Sequence, residues 1–481
     1  MKELEKKSTN YNSELKARSS KKVVILGGGI TGLGAAWRLT EKGFSVDILE
    51  MEDRPGGLAA SIRKNGYIFD LGIHGMFPSK KGNEEILNAV TKLPGIELGT
   101  VSKKTKIYFR NRYHDYPLGL KNIVLALNPF VAVVCLLDFV QTRIRRRLRF
   151  INEGLDFESW VSTHFGKMLY NRFFGPYAQK IWGVHPSNLS AYQLVRRVTT
   201  VSLWDVFVKA FNSLFKVITK KDNLYTQQPP TFLYPYKGSG AFAEGILDQV
   251  VKNGGLIHYN SKAVKVKVED DVIKHVVFHR GGENEIMECD YLISTIPINN
   301  LVQIIDPIKD ESVIEAANFI KYRAMIILNL MINRLKISDS QWIYFSDNKF
   351  LFNRINEFSN IHRSFCPEGK TSLCIEITCD EGDNVWNLSE KEIHDRCVND
   401  LEELSLLHRE EIDDYFVVRL NNAYPVWTLG TERYLKMIFN YLENIKNIYT
   451  IGRQGLFEYI NMDEGIKEGF EAADKIIREE A

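Results

Sequence analysis

The stretch KKVVILGGGITGLGAAWRLTEKGFSVDILEMEDRPGG, residues 21–57, constrains the chain more than any other. It opens on Val23, Val24, Ile25 and Leu26, a short apolar run suited to a strand covered on both faces. Gly27, Gly29 and Gly32 follow in G-x-G-x-x-G spacing, and Ala35, Ala36 and Leu39 then recur at helical spacing. Ser45 to Leu49 read as a second strand that ends at Glu50. Each residue type has a physical task. Gly27 permits a tight turn, Gly29 lets the backbone approach a pyrophosphate, and Gly32 lets the helix pack close to the strand. The helix start presents N–H groups and the positive end of a dipole. Glu50, 18 residues beyond Gly32, can accept hydrogen bonds from a ribose diol. A lone glycine pattern would be weak, but strand, helix, second strand and acid are all in place, so the stretch predicts a dinucleotide site.

Composition narrows the class. A chain of 481 residues exceeds one ordinary core, and two or three domains are expected. The formal charge of +2 gives no basic surplus for nucleic acid. Six cysteines stand at 135, 289, 366, 374, 379 and 397, with no C-x-x-C and no zinc spacing. They read as reduced thiols of a cytoplasmic protein, and no metal site is expected. Residues 1–20 are polar, lack an apolar signal core and read as a disordered lead-in. Ile123 to Val140 is largely apolar but is interrupted by Asn128, Pro129 and Asp138, and Arg143, Arg145, Arg146, Arg147 and Arg149 follow. It is too broken for a spanning helix. Two readings stay open over 123–149: a buried helix with its arginines on a solvated end, or a peripheral patch that meets anionic lipid or a lipid-linked substrate.

Farther along, Gly66 to Phe77 (GYIFDLGIHGMF) looks like a strand ending in the glycine-flanked His74. Residues 105–118 look like a hairpin with Asn111-Arg112 at its tip. Residues 118–225 read mainly as helix and include FGPYAQKIWGVHPSNLSAYQLVRRV, with Tyr177, Lys180, Trp182, Arg196 and Arg197. Aromatics beside cations would suit a sugar diphosphate; a core tryptophan with solvated charges is the plain alternative. A helix is expected from Ala241 to Lys252, a strand over 256–268 and a buried strand at 291–297. Strand-like runs at 323–331, 342–345, 371–378 and 414–420 alternate with helices near 389–406 and 430–444. The tail holds a strand into Gly452-Arg453, a polar turn through Tyr459, Asn461 and Met462, and a helix from Glu464.

Beyond Glu50, the run Met51-Glu52-Asp53-Arg54-Pro55-Gly56-Gly57 resembles the FAD fingerprint of the amine oxidase, phytoene desaturase and protoporphyrinogen oxidase superfamily. Within it, G-x-H-x-x-F at 72–77, Tyr177 with Lys180-x-Trp182-Gly183, Arg196, and Gly452-Arg453 with Tyr459-x-Asn461-Met462 resemble the motifs of UDP-galactopyranose mutases, over roughly half the chain. The pattern departs from that family at Ile73, Pro78 and Asn461, and residues 300–440 match the bacterial mutases poorly. The resemblance implies an α/β fold: a Rossmann-type FAD-binding domain with an inserted helical domain and a mixed β-sheet substrate domain. The corresponding segments are 21–117, 234–299 and 445–481 for FAD, 118–233 for the helices and 300–444 for the sheet.

The resemblance also implies roles. Gly27, Gly29, Gly32, Glu50, Arg54, Gly56, Gly57, Val264, Gly452, Arg453, Asn461 and Met462 would hold FAD, Val264 through its backbone at the adenine. Tyr177, Trp182, Arg196 and Tyr459 would hold a nucleotide sugar or related glycoconjugate of surface-glycan synthesis. His74 and Arg453 would tune the flavin, so that His74, Trp182, Arg196, Arg453 and Tyr459 form the catalytic set. The implied reaction is ring isomerisation through a flavin N5 adduct, with NAD(P)H as candidate reductant. An amine oxidase or protoporphyrinogen oxidase type of hydride transfer stays open, with Lys370 one of several lysines that could lie by the flavin. So does an escort protein that keeps FAD as structure. Oligomeric state is not expressed in the motifs.

Overall fold

The computed structural model describes residues 21–76, 84–116, 129–148, 154–192 and 231–481. The chain divides into two compact units. The first comprises Met1–Thr100, Phe232–Lys321 and Arg433–Ala481; the second comprises Val101–Thr231 and Tyr322–Glu432. The expected lead-in at 1–20 lies outside the described residues.

The first unit is organised by a five-stranded sheet, in the order Ile448–Thr450, Tyr291–Ser294, Lys22–Leu26, Ser45–Leu49, Leu256–His258. Every pairing in it is parallel. Val23, Val24 and Ile25 are fully buried at its centre, as a strand covered on both faces must be. The single strand expected over 256–268 is two. Leu256–His258 joins the parallel sheet, and Lys262–Glu269 joins an antiparallel one. The break falls where Asn260 takes φ 52° and the Ser261 N–H donates to Glu50 O at 2.8 Å.

Two helices pack closely on this sheet, Ile30–Glu41 after the glycine loop and Met462–Glu479 at the C-terminal end. Their contact is made by small residues. A Cβ at Gly469 would lie 2.4 Å from Thr31 O and 2.7 Å from the Ala35 nitrogen, and one at Gly34 would lie 3.1 Å from Ile466 O. The backbones therefore approach as only glycine allows.

A buried polar node joins the first two chain segments of the unit. Asp70, at the end of the Ser61–Lys64/Tyr67–Asp70 hairpin, accepts from Ser61 Oγ, from the Tyr234 hydroxyl at 2.6 Å and from the Ser239 N–H at 3.0 Å. Burial pushes its carboxyl up, and the same three residues pull it back down.

The second unit contains a seven-stranded sheet, in the order Ile412–Val426, Lys321–Ile332, Thr371–Cys379, Arg354–Asn356, Trp342–Phe345, Thr105–Phe109, Arg112–Tyr116. Ile326, Leu328, Leu330, Ile343, Phe345, Ile355, Leu373, Ile375 and Ile377 form its apolar face, packed on Ile393, Cys397, Val398 and Leu401 of the Glu390–Glu403 helix. Beside it, Cys135, Phe139, Phe157, Val161, Phe165, Leu169, Trp182 and Leu189 form the core of the helical part.

Several expected boundaries move, each for a physical reason. The 105–116 hairpin, assigned above to the first FAD segment, pairs parallel with Trp342–Phe345 and so belongs to the second unit. Its tip is Arg110-Asn111, which take φ 50° and 59°, one residue earlier than expected. The middle FAD segment runs on to Lys321, because Ile305 pairs with Val266 in the antiparallel sheet. The last begins at Arg433, where Tyr434 stacks on Phe319 at 4.2 Å. The helical and sheet segments form one unit, held by Lys180 and Arg323 as described below.

A methyl group at Gly469 has no space to enter. Gly469→Ala is expected to lower the unfolding free energy by about 1–3 kcal/mol, measured by urea denaturation. An unchanged midpoint would show that the two helices can separate freely.

Candidate functional site

The glycine loop presents backbone to a ligand. Gly27 turns at φ 101°, and a Cβ at Gly32 would lie 2.2 Å from Gly27 O, so the loop closes tightly on the helix. Gly29 is the N-cap, with no side-chain cap, and a Cβ added there meets nothing within 4 Å. The first turn thus keeps N–H groups open toward free space. Gly56 and Gly57 turn at φ 109° and 55° and lie on this loop. The Gly56 N–H donates to Gly28 O at 2.8 Å, and a Cβ on Gly57 would lie 3.3 Å from Gly29 Cα. Arg54 stays at the exposed margin, paired with Asp53 at 2.7 Å.

Glu50 is buried and accepts from the Gly28 N–H at 2.6 Å and the Glu52 N–H at 2.8 Å. Burial pushes its carboxyl up, against those two backbone donors. Each carboxylate oxygen has capacity for another donor, as a ribose diol would supply. Val264 falls at a bulge, where the pairing of Lys262–Glu269 with Val272–Arg280 skips between Ala263 and Lys265. Its peptide is left out of the ladder, as recognition of a flat base by backbone would require.

The C-terminal arm returns to the same loop. Gly452, at φ 81°, would bring a Cβ within 3.1 Å of Thr31. Its N–H donates to Glu468 at 2.8 Å, and burial raises that carboxyl to about 7. The Arg453 guanidinium stacks 4.2 Å over the Tyr459 ring. Asn461 caps the last helix in a reciprocal box with Glu464, so two of the N–H groups expected to face a ligand are already used. Met462 is a buried core side chain, and only its backbone could serve a cofactor. His74 is half-buried, its Nε2 3.3 Å from Leu71 O and its N–H 3.4 Å from the Tyr234 hydroxyl, so the Asp70 node anchors its loop.

In the second unit, Tyr177 meets Tyr344 edge-on at 6.4 Å, and Trp182 meets Tyr424 at 6.2 Å. Trp182 is packed in the helical core. Lys180, expected beside a diphosphate, donates instead to the carbonyls of Phe345 and Asp347, at 3.2 and 2.7 Å. Burial pushes its amine down to about 8. Arg323 donates to Ile181 O at 3.1 Å and Thr378 O at 3.4 Å, tying the helix end to the sheet. Lys370 pairs with Asp413 at 2.7 Å. Arg196 and Phe77 lie outside the described residues.

Sequence reasoning missed the polar face of the seven-stranded sheet. Register places Glu376 opposite Arg354 and Arg354 opposite Tyr344. Arg354 bonds Glu376 with two nitrogens, at 2.9 and 2.6 Å, and Glu376 is 1% exposed. Asn356 adds a donor to Glu376 at 2.8 Å. Lys103 stacks 5.3 Å over Trp342, and burial, then the Arg354 charge, push its amine down. The signal was period-two alternation in NRINEF and SLCIEIT, which sets these polar residues opposite the apolar core.

Residues 30–477 match the family described as flavin-containing amine oxidoreductase. The chain belongs to that family. Its members are FAD-dependent enzymes, and FAD is its cofactor. The glycine loop, Glu50, Gly56, Gly57, the Val264 bulge and the 452–462 turn fit that group and would hold it. Over 274 residues the flavoprotein is 27% identical to coproporphyrinogen III oxidase of Staphylococcus aureus, covering 53% of this chain and 55% of that one. It is 28% identical over 179 residues to a probable UDP-galactopyranose mutase of Klebsiella pneumoniae, covering 37% and 45%. The chain thus spans about half the length of these curated relatives. A crystal structure of reduced UDP-galactopyranose mutase matches over 95% of this chain and 96% of that one, with TM-score 0.79 and 25% identity. A protoporphyrinogen oxidase-like structure from Exiguobacterium shares the fold, with TM-score 0.72 and 17% identity.

Glu468 gives the flavoprotein a pH signature. Its folded value of about 7 lies above the ordinary 4.5, so its stabilising contribution is complete below about pH 4.5 and is lost as the pH climbs through about 7. Glu468→Gln keeps an acceptor for Gly452 and cannot ionise. Urea denaturation should show it more stable than the parent by up to about 3 kcal/mol at about pH 8 and no more stable at about pH 4. An equal gain at both values would remove Glu468 from the pH dependence.

Proposed function

We propose that this flavoprotein rearranges a nucleotide sugar in surface-glycan synthesis, exchanging pyranose and furanose rings as a UDP-galactopyranose mutase does. What carries the reading is the match to the reduced mutase structure, which extends over nearly the whole of both chains at 25% identity. The residue pattern supports it, since Tyr177, Trp182, Arg196, Arg453 and Tyr459 stand in mutase order.

Reduced FAD, when bound, supplies a nucleophilic nitrogen and returns no net electrons. The chain's own tasks follow from that. A leaving diphosphate must be held, because it has to recombine. Arg196 and Tyr459 would do this by charge and hydroxyl, each charge-assisted hydrogen bond contributing about 1.5–3 kcal/mol. Arg453, stacked on the Tyr459 ring, would orient that phenol. Trp182 would fix the end of the Gly175–Trp182 helix from within the core, and Tyr177 would offer its ring edge to the sugar. NAD(P)H is the natural reductant to keep the flavin competent.

A second reading, hydride transfer from substrate to flavin, is favoured by the similarity to coproporphyrinogen III oxidase over about half the chain. The test is anaerobic turnover of UDP-galactofuranose with and without dithionite, with the pyranose followed by chromatography. Turnover only with reduced flavin and no net electron consumption is the expected result. Arg196→Ala should then raise KM at least tenfold while flavin content stays unchanged. Substrate-driven flavin reduction without isomerisation would favour the second reading.

A further inference from the structure

The Pro129–Arg147 helix carries two opposed apolar faces. One is the inner face, where Cys135, Phe139 and Thr142 are buried, the first two in the helical core. The other is exposed. Phe130 is 77% exposed, Val133 54%, Leu137 63%, Ile144 54% and Leu148 59%. At about 100° per residue these five fall within roughly 60° of one another, opposite the buried face. Leu148, just past the last helical turn, keeps the register through its N–H bond to Ile144 O at 3.0 Å. The exposed side is therefore an apolar stripe, with the exposed Gln141 at its margin between Leu137 and Ile144, and not scattered surface residues.

Charge borders the stripe. On the same projection Arg145 lies on one side and Arg143 and Arg147 on the other, all three exposed. The acid within the helix is engaged inward: Asp138 accepts from the Met168 N–H at 2.7 Å. The surface thus offers leucine, isoleucine and phenylalanine flanked by guanidinium groups. No described helix is long and apolar enough to cross a membrane, so this one could only lie along a surface.

We propose that the Pro129–Arg147 helix seats the protein on an anionic lipid surface, its stripe entering the acyl boundary and its arginines meeting the headgroups. An apolar stripe flanked by basic residues is the pattern of interfacial helices, and guanidinium pairs with phosphate by charge and fork geometry. The proposal does not depend on the nucleotide-sugar reading, since the helix carries none of the residues assigned there.

The test is co-sedimentation of the flavin-loaded protein with vesicles of phosphatidylglycerol and phosphatidylcholine, or of phosphatidylcholine alone, at low and high salt. Binding to the anionic vesicles should exceed binding to neutral ones at least tenfold and weaken with salt. The V133S/L137S/I144S variant should lose at least tenfold, and R145Q/R147Q should lose a similar factor. Flavin content and melting temperature are read on each variant. Should the serine variant lose flavin or melt early, L137S alone, with an expected loss of about threefold, replaces it. No vesicle binding by the parent overturns the proposal. So does anionic binding that the stripe substitutions leave unchanged, which would be adsorption by charge alone. A parent that is dimeric and unbound, with a monomeric serine variant, would give the stripe to a second copy and overturn it equally.

Discussion

Thr31 is the point at which the two ends of the described chain meet. It stands in the first turn after the glycine loop, and three glycines of the C-terminal arm close on it. A Cβ at Gly452 would lie 3.1 Å from its side chain, one at Gly465 2.7 Å, and one at Gly469 2.4 Å from its carbonyl oxygen. Side chains anywhere in that set would hold the helices apart and carry the 452–462 turn away from the loop. The flavin-holding surface therefore depends on a backbone-to-backbone contact between residues more than four hundred positions apart in sequence.

Three buried carboxylates, two in the first unit and one in the second, each gather several donors. Asp70 collects Ser61, Tyr234 and Ser239. Glu50 collects two backbone N–H groups, and Glu376 collects Arg354 and Asn356. Desolvation of each carboxylate is offset by these partners, and the loss of any one donor would leave a buried acceptor short. Such groups contribute less to net stability than to register, because each accepts only one arrangement of the segments that reach it.

How far this was legible in the sequence depends on the range of the signal. The strand Val23 to Leu26, the glycine loop, Glu50 and the strand 342–345 stand where local pattern places them, because side-chain period and turn chemistry act within a few residues. The flavin family was likewise written in contiguous motifs. The Arg354–Glu376 pair was not, since two residues on different strands become neighbours only once register is known. The Val264 bulge and the docking of Gly56 on Gly28 are also properties of pairing. Lys180 shows the converse error. A lysine next to aromatics resembles an anion site, but its amine is spent on the carbonyl of Phe345, in a strand that begins 162 residues later, and on that of Asp347 just past the strand's end. The domain boundaries moved for the same reason, because pairing overrode proximity in the chain.

The order of strands in the parallel sheet has a consequence for how the protein comes into being. Lys22–Leu26 is made first, yet its neighbour Tyr291–Ser294 is made some 270 residues later, and the outer Ile448–Thr450 later still. At about 5–20 residues per second, the first strand leaves the ribosome roughly 20–85 s before its sheet can be completed. For roughly 13–54 s of that interval, at the same about 5–20 residues per second, until Tyr291–Ser294 is made, its own run of valines and isoleucines has a free edge on one side. The second unit's strands must meanwhile find one another across the same gap, since Thr105–Phe109 waits for Trp342–Phe345. A chain laid out this way cannot complete either sheet until its later strands have been made.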